Sequence, residues 1–319
     1  MTTAATPIGA LPPAVAAGPR RIVVASPMKA ASTYTAEVLA RYLGTSVPVV
    51  RYDWLAEQNY TDELARQVGD GPFVLALHLR PHASNLERLT RDGIRVVLLW
   101  RNLGDVIVSF DEHVPRYGVH NPMFYVDHDA FVGMHAQERY RHAIDALVPW
   151  NVGFYLHWRG LPGLVLNPYE LLVRDPRAYF AQVIVPLGVA LDHAWLAHVL
   201  AEPVAVPRWN VGAVGRSGAL FADETKRRLE SHLLAHPQRD ETDVLLRELP
   251  WDVAAFDPRA PYDGMLVAVE PESPFFVSRG VRHPVARRWV ASRGPESLRE
   301  PTLVTRAALD ALPLGAALD

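Results

Sequence analysis

The stretch Arg-Ile-Val-Val-Ala-Ser-Pro-Met-Lys-Ala-Ala-Ser-Thr-Tyr, residues 21–34, decides the fold of this chain. Its β-branched run, Ile22 to Ala25, predicts a buried strand. Helical apolar spacing from Thr33 to Leu43, stopped by Gly44, predicts the helix that follows. In an open α/β sheet, ligands bind beyond the carboxyl ends of the strands, where a helix N-terminus offers free N–H groups to an anion. This strand, loop and helix, with Lys29 in the loop, therefore predict an anion site.

A second stretch of the same kind lies further along the chain. The apolar run Val96 to Trp100 predicts another buried strand, and Arg101 to Ser109 follows it directly. An arginine and a hydroxyl just past a strand are the chemistry that binds a terminal phosphate. Two such strand ends predict a ligand with two separated anionic groups.

Strand and helix patterns alternate over most of the chain. Further strands are expected at 49–54, 73–79, 94–100 and 163–167, and further helices at 61–68, 83–90, from 104, 131–148 and 175–186. Residues 111–125, with Pro, Gly, Asn and aromatic residues in no clear period, are expected to form a long functional loop. The alternation predicts an α/β fold, a three-layer, doubly wound parallel sheet.

Composition shifts predict three parts. Residues 1–19, rich in Ala, Pro and Thr, are expected to be a disordered leader, residues 20–250 the α/β domain, and residues 257–319 a small β-rich module punctuated by proline. The first part has no basic region followed by an apolar core, as a signal peptide would.

The overall composition narrows the class of protein. The 319 residues include 32 Lys and Arg against 35 Asp and Glu, so nothing global favours nucleic acid or an anionic membrane as partner. The absence of cysteine excludes thiolate chemistry and disulfides and fits a reducing compartment. No stretch reaches the roughly 18 to 20 apolar residues of a membrane span. A cytoplasmic protein is expected.

The first loop resembles the phosphosulfate loop of sulfotransferases, whose pattern is close to Pro-Lys-Ser-Gly-Thr-Thr-Trp. In that resemblance Lys29 matches the lysine, Ala30 the serine, Ala31 the glycine, Ser32 and Thr33 the two threonines, and Tyr34 the aromatic residue that stacks on adenine. The chain departs from the pattern by an inserted Met28 and by the loss of the glycine and the first hydroxyl. By itself such a loop is also compatible with an ordinary helix cap beside a solvated lysine.

The second stretch resembles the 3′-phosphate motif of the same family, Arg-Asp-Pro-Arg-Asp-Val-x-Val-Ser, with Arg101 and Ser109 in register. Residues 167–176 resemble its Tyr-Glu-Asp-Leu-x-x-Asp-Pro segment, which makes Tyr169 the implied adenine contact. Residues 210–215 resemble its Arg-Lys-Gly-x-x-Gly closing loop, which implies cofactor contacts from Asn210, Val211 and Gly212. Since Asn210 and Val211 replace the basic pair, Arg208 or Arg216 is the expected substitute.

His78 ends the strand predicted at 73–79, where the family carries a general-base histidine in Lys-Thr-His. The family's accompanying lysine is Ala76 here, which leaves Lys29 as the main cation over the transferring group. The resemblance thus implies transfer of a sulfuryl group from 3′-phosphoadenosine 5′-phosphosulfate (PAPS), without a metal, to a hydroxyl or amine of a small-molecule, lipid or carbohydrate acceptor. His78 and Lys29 would be the catalytic residues.

The sequence is also compatible with other interpretations. A histidine in an apolar strand is commonly a satisfied core residue, and the departures at the two loops suit a noncatalytic nucleotide-binding protein. An ATP-dependent phosphotransferase would need a glycine-rich loop, which this sequence does not have.

Three histidines raise the question of a metal site, since His128, His135 and His142 recur every seven residues. That spacing places them about 10 Å apart along a helix, which is too far for one zinc ion. Residues 262–315 loosely resemble a small β module appended to diverse bacterial proteins, with no chemistry implied.

Overall fold

The computed structural model describes residues 11–51, 58–117, 128–204, 212–251, 253, 266–269, 274–278, 281–286, 288, 302–303, 306–310 and 312–318. They divide into two compact units, one up to Leu220 and one from Phe221 onward. This division comes earlier than the shift in composition near residue 250, because the helices that follow Phe221 make most of their contacts within the second unit. The division into a leader, an α/β domain and a module remains a prediction.

The first unit contains a parallel sheet of four strands. The strands are β1 (Arg21–Ala25), β2 (Phe73–Leu77), β3 (Arg95–Trp100) and β4 (Leu166–Pro168), and their order across the sheet is β2-β1-β3-β4. Every pairing is parallel, with Val23 opposite both Leu75 and Val96. The chain runs outward from β1 to β2 and then crosses back to β3, so the sheet is doubly wound, as predicted, and its switch point lies between β1 and β3.

In the first unit, one short helix precedes β1, and helices follow each of the four strands. They are α1 (Pro13–Ala16), α2 (Ser32–Leu43), α3 (Asp62–Val68), α4 (Ala83–Arg91), α5 (Leu103–Tyr117), α6 (His128–Gly133), α7 (Ala136–Arg159), α8 (Tyr169–Arg174), α9 (Pro176–Ile184), α10 (His193–Ala201) and α11 (Arg216–Leu220). Because parallel crossovers are right-handed, α2 and α4 lie on opposite faces of the sheet.

The core has a layer on each face of the sheet. Ile22 and Val24 point into a buried cluster with residues of α2, α9 and α10. Trp100 is buried on the other side, and its ring centroid lies 5.0 Å from that of Tyr155 in α7. Alternate residues of β1 to β3 thus serve two apolar layers, which explains why these strands read as continuous apolar runs.

The second unit carries a separate small sheet. Its helices are α12 (Asp223–Leu234), α13 (Arg239–Arg247) and α14 (Arg306–Asp310), and its strands are β5 (Leu266–Ala268), β6 (Phe275–Ser278), β7 (Val281–Pro284) and β8 (Thr302–Leu303). The strand order is β7-β6-β5-β8; β6 pairs with both neighbours in the antiparallel sense and β5 with β8 in the parallel sense. The small C-terminal β unit read from the sequence is therefore present.

Three local expectations differ from the structure. Helix α5 continues through Tyr117, so the first part of the loop expected at 111–125 is helical, and 118–127 lie outside the described residues. Residues 49–51 form no strand; instead Ser46 makes a single parallel bridge to Phe73. Residues 13–16, expected within a disordered leader, form α1, because Val15 is fully buried in the core beside α2.

The packing of α1 gives a prediction. Val15→Ala should lower the free energy of unfolding by about 1–3 kcal/mol, because it removes buried methyl groups from a filled core. The matched control is Val49→Ala, since Val49 is 68% exposed and its truncation should change stability by less than about 0.5 kcal/mol. Urea unfolding of both variants measures the difference. Equal stability of the two would mean that α1 does not pack on the core in solution.

Candidate functional site

The loop between β1 and α2 has an unusual backbone. Lys29 and Ala31 both take left-handed conformations, with φ of 62° and 64°, and Ala31 is the N-cap of α2. Such alternation turns successive N–H groups toward one point and builds an anion-binding concavity. The first N–H groups of α2 have no partner within the helix and carry the positive end of its dipole. Loop and helix end together therefore form a site for an anion.

His78 lies just past β2, beside this loop. Its Nδ1 is 3.0 Å from the carbonyl oxygen of Ser26, which can only accept, so Nδ1 carries the proton. Its backbone N–H donates to Gln58 Oε1 at 2.7 Å, and Gln58 N donates back to the His78 carbonyl at 3.3 Å. In the neutral ring, Nε2 is then left with a lone pair. His78 thus has the tautomer that a base acting through Nε2 requires.

Two effects keep His78 neutral. Burial lowers its pKa below the ordinary value of 6.5, the positive charge of Lys29 lowers it further, and the bond to Ser26 opposes both. The pKa of His78 thus depends on the charge of Lys29, the other predicted catalytic residue. A neutral imidazole can accept a proton at neutral pH.

Lys29 also touches a residue that the sequence did not single out. Its Nζ lies 3.3 Å from Nδ1 of His113, in α5. Helix α5 follows β3, so the two strands on either side of the switch point bring these residues together. The ammonium group of Lys29 thus contacts the imidazole of His113, a residue of the helix that follows β3.

Arg101, directly after β3, is almost completely buried, with 4% of its surface exposed. It donates to the carbonyl of Lys29 at 2.9 Å and to the carbonyl of Ala213 at 3.3 Å, and its guanidinium lies 4.1 Å from the centroid of the Tyr169 ring. Burial lowers its pKa, and Tyr169, Asp105 and Glu170 oppose that shift. Arg101 therefore joins the loop after β1 to the segment that begins at Gly212.

Asp105 holds that segment from α5. Its carboxylate, fully buried, accepts hydrogen bonds from Gly215 N at 2.6 Å, Ser217 N at 3.0 Å and Ser217 Oγ at 2.9 Å. Gly212 and Gly215 both have positive φ, which glycine adopts without strain. Three bonds to one carboxylate satisfy its buried charge and fix the start of α11.

Two further acidic residues of α5 are paired with arginines. Glu112 forms a two-pronged ion pair with Arg216, and Asp111 forms one with Arg139 at 2.5 and 3.2 Å. The pairing raises the pKa of Arg216. The guanidinium expected to replace the missing basic pair thus binds a carboxylate in the structure.

The remaining predicted residues have varied surroundings. Ala30 is buried in the core beneath the loop, Ser32 is buried at the start of α2, and Thr33 beside it is exposed. Tyr34 is half-buried, with its ring centroid 6.3 Å from that of Phe180, and burial raises its pKa. Ser109 is buried within α5, and Tyr169 lies against Arg101. Arg208, Asn210 and Val211 lie outside the described residues.

Sequence reasoning missed His113 and Asp105 as site residues. His113 follows Ser109 by one helical turn, so both lie on one face of α5, but the segment from 111 was expected to be a loop. Asp105 lies within the stretch 101–109, of which only Arg101 and Ser109 were predicted to bind a ligand. Its signal was its place in the first turn of a helix that opens beyond a strand, where carboxylates and N–H groups meet.

The described residues contain neither a membrane-spanning helix nor a group of side chains that could bind a metal ion. None of their helices is both long and apolar enough to cross a membrane. In the same parts of the chain, no three His, Asp or Glu side chains are grouped closely enough to hold a metal ion.

Among solved structures, this chain is similar to mouse sulfotransferase SULT7A1 complexed with PAP, at 15% identity and a TM-score of 0.49, over 72% of this chain and 88% of that one. It is also similar to retinol dehydratase in complex with androsterone and inactive cofactor PAP, at 15% identity and a TM-score of 0.43, over 76% of this chain and 86% of that one. A structure of retinol dehydratase in a complex with retinol and PAP is similar at 15% identity and a TM-score of 0.45, over 75% of this chain and 84% of that one. No family model and no curated protein matches the chain. With TM-scores under 0.5, these likenesses assign no activity or residue role to it.

The contact between α5 and the Gly212 segment predicts the effect of a single methyl group. A Cβ at Gly104 would lie 2.5 Å from Ser217 Oγ and 2.8 Å from Ser217 Cβ, so Gly104→Ala should destabilise the protein by about 1–3 kcal/mol through overpacking. Gly133→Ala is the control, since a Cβ there meets nothing within 4 Å. Thermal unfolding compares the two. If Gly104→Ala were as stable as its control, the close packing of α5 on Ser217 would be wrong.

The pKa of His78 predicts a pH dependence of stability. Since its pKa is lowered on folding, the unfolded chain binds a proton there first as the pH falls, and the native state is disfavoured. The contribution is constant above the unfolded pKa of about 6.5 and is lost progressively below it. As the pH is lowered past that value, the free energy of unfolding of the wild type should therefore decrease relative to that of His78→Gln. A difference independent of pH between 5 and 8 would contradict the lowered pKa.

Proposed function

We propose that this protein is a sulfotransferase that moves the sulfuryl group of PAPS to a hydroxyl or amine acceptor. The observation that carries the proposal is the arrangement of Lys29 and His78 at the carboxyl ends of β1 and β2. There an anion-binding loop lies beside an imidazole whose Nδ1 donates to Ser26 and whose pKa Lys29 lowers. An anion site and a neutral base, linked by the influence of the Lys29 charge on the pKa of His78, suit transfer from an anionic donor to a protic acceptor.

The residues fit PAPS at its 5′ end. The left-handed residues Lys29 and Ala31 and the start of α2 would hold the 5′-phosphosulfate, with the small side chains of Ala30 and Ala31 leaving the backbone open to it. Buried Nε of Arg101 has no hydrogen-bond partner among the described residues, and it supplies one donor near the switch point. Bound there, PAPS supplies the sulfuryl group and a phosphate leaving group.

His78 acts as the general base in this proposal. Its Nε2 takes the proton of the acceptor as the acceptor atom bonds to sulfur and the bond from sulfur to the 5′-phosphate oxygen breaks. The Nδ1–H bond to Ser26 keeps the ring oriented during the transfer and stabilises the imidazolium that forms. The products are the sulfated acceptor and adenosine 3′,5′-bisphosphate (PAP).

Lys29 and the helix end stabilise the leaving group. The charge that develops on the 5′-phosphate grows beside an ammonium group and the first N–H groups of α2, which are oriented before the reaction begins. Ser32 is the first residue of α2, and its hydroxyl would add a further donor to the phosphate. The acceptor is defined here only by its chemistry, as a small molecule, lipid or carbohydrate with a hydroxyl or amine.

Calorimetric titration of the full chain tests the donor site. We expect PAP to bind more tightly than 5′-AMP or ATP, because PAP carries two separated phosphates. Lys29→Ala should weaken PAP binding about tenfold or more, as expected for a lost charge-assisted bond. Arg95→Ala, which removes an exposed arginine at the far end of β3, should leave PAP binding unchanged. Thermal unfolding of each variant confirms that it folds.

The chemistry needs a second measurement. With PAPS and a set of phenol, amine, carbohydrate and lipid acceptors, the proposed enzyme sulfates an acceptor and releases PAP. His78→Ala should bind PAP normally and lose most of this turnover. Normal PAP binding without turnover in the wild type would instead favour a noncatalytic nucleotide-binding protein, and tighter binding of ATP would favour a phosphotransferase.

A further inference from the structure

Lys29 is held at both of its ends by one segment of the chain. Arg101, at the end of β3, donates to its backbone carbonyl at 2.9 Å, and His113, three turns into α5, lies 3.3 Å from its Nζ. Its backbone is also confined to the left-handed region. A long lysine side chain otherwise has many rotamers, so a contact at the ammonium group restricts a large part of its motion.

The chemistry of the two groups sets the direction of the contact. An ammonium group has three N–H donors and no acceptor, so the hydrogen bond runs from Lys29 Nζ to a lone pair on His113 Nδ1. His113 is then neutral, with its proton on Nε2. One of the three donors of Lys29 is bound to His113, and the direction of the other two follows from it.

We propose that His113 is a positioning residue for Lys29: its Nδ1 accepts one hydrogen bond from the ammonium group and directs the remaining donors toward the anion bound by residues 29–34. The inference rests on the proposed function and adds a residue to that site. The phosphosulfate loop lost its glycine and its first hydroxyl in this chain, so Lys29 is a large part of its affinity. A contact that orders Lys29 before the anion arrives reduces the entropy lost on binding.

The test uses two substitutions at one position. In His113→Asn the amide Oδ1 stands where Nδ1 stood and can accept from Lys29, whereas His113→Leu keeps bulk and removes the acceptor. We expect His113→Leu to weaken PAP binding about tenfold and His113→Asn to stay within about threefold of the wild type, by calorimetry. His193→Leu, an exposed histidine of α10, is the control for a histidine-to-leucine change.

A double-mutant cycle separates positioning from a merely structural role. If His113 acts through Lys29, His113→Leu should weaken PAP binding little further once Lys29→Met has removed the ammonium group. An equal loss in both backgrounds, or a loss in His113→Asn as large as in His113→Leu, would overturn the inference.

A ligand-free measurement keeps the inference separate from the proposed function. With ¹⁵N-labelled histidine in the full chain, and His113→Asn to assign the signal, Nδ1 of His113 should resonate as an unprotonated, hydrogen-bonded nitrogen. It should shift in Lys29→Met. Failure of the wild type to bind PAP would overturn the proposed function, while a resonance unchanged by Lys29→Met would overturn the inference whatever PAP does.

Discussion

The site depends on one buried cation, the guanidinium of Arg101. A buried charge is unfavourable unless it is paired and hydrogen-bonded, and here two backbone carbonyls and an aromatic face surround it. The carbonyls belong to Lys29 and Ala213, which are far apart in sequence. The planar fork of arginine can reach both while its face lies on Tyr169, which a lysine could not do. Arg101 therefore links the loop after β1 to the Gly212 segment, and Asp105 holds Gly215 and Ser217 of the same segment.

The same contacts explain how the strained loop persists. A left-handed conformation costs an L-residue roughly 1–2 kcal/mol, and Lys29 and Ala31, two positions apart, both adopt it. Such strain survives only where the surroundings over-determine it. Arg101 holds the Lys29 carbonyl, Ala30 packs into the core, and Ala31 accepts the first hydrogen bond of α2, from Thr35 N at 2.9 Å. Alanine also has less conformational entropy in the unfolded chain than glycine would have, and this difference offsets part of the strain.

The features of the fold and site that the sequence predicts are those set by residues close together along the chain. The strands β1 to β3, and the caps Thr61 and Asp175, were predictable because short apolar runs and capping side chains act locally. Helix α5 was predicted only in part, since Pro115 within it reads as a breaker while packing against α7 keeps the helix intact. The contact of His113 with Lys29 spans 84 positions and depends on the crossing order of the strands. No local pattern carries it.

In the proposed reaction, the charge of Lys29 links the protonation of His78 to the charge that develops on the leaving group. The charge of Lys29 lowers the pKa of His78, which keeps Nε2 available but makes it a weaker base. His78 and Lys29 would both be positive once Nε2 accepts a proton in this reaction, and negative charge on the leaving phosphate would offset their repulsion. Electrostatic stabilisation is then greater in the transition state than with donor and acceptor merely bound, which is the condition for catalysis. In the proposed reaction, the same pair beside an anion site would couple proton transfer to bond cleavage.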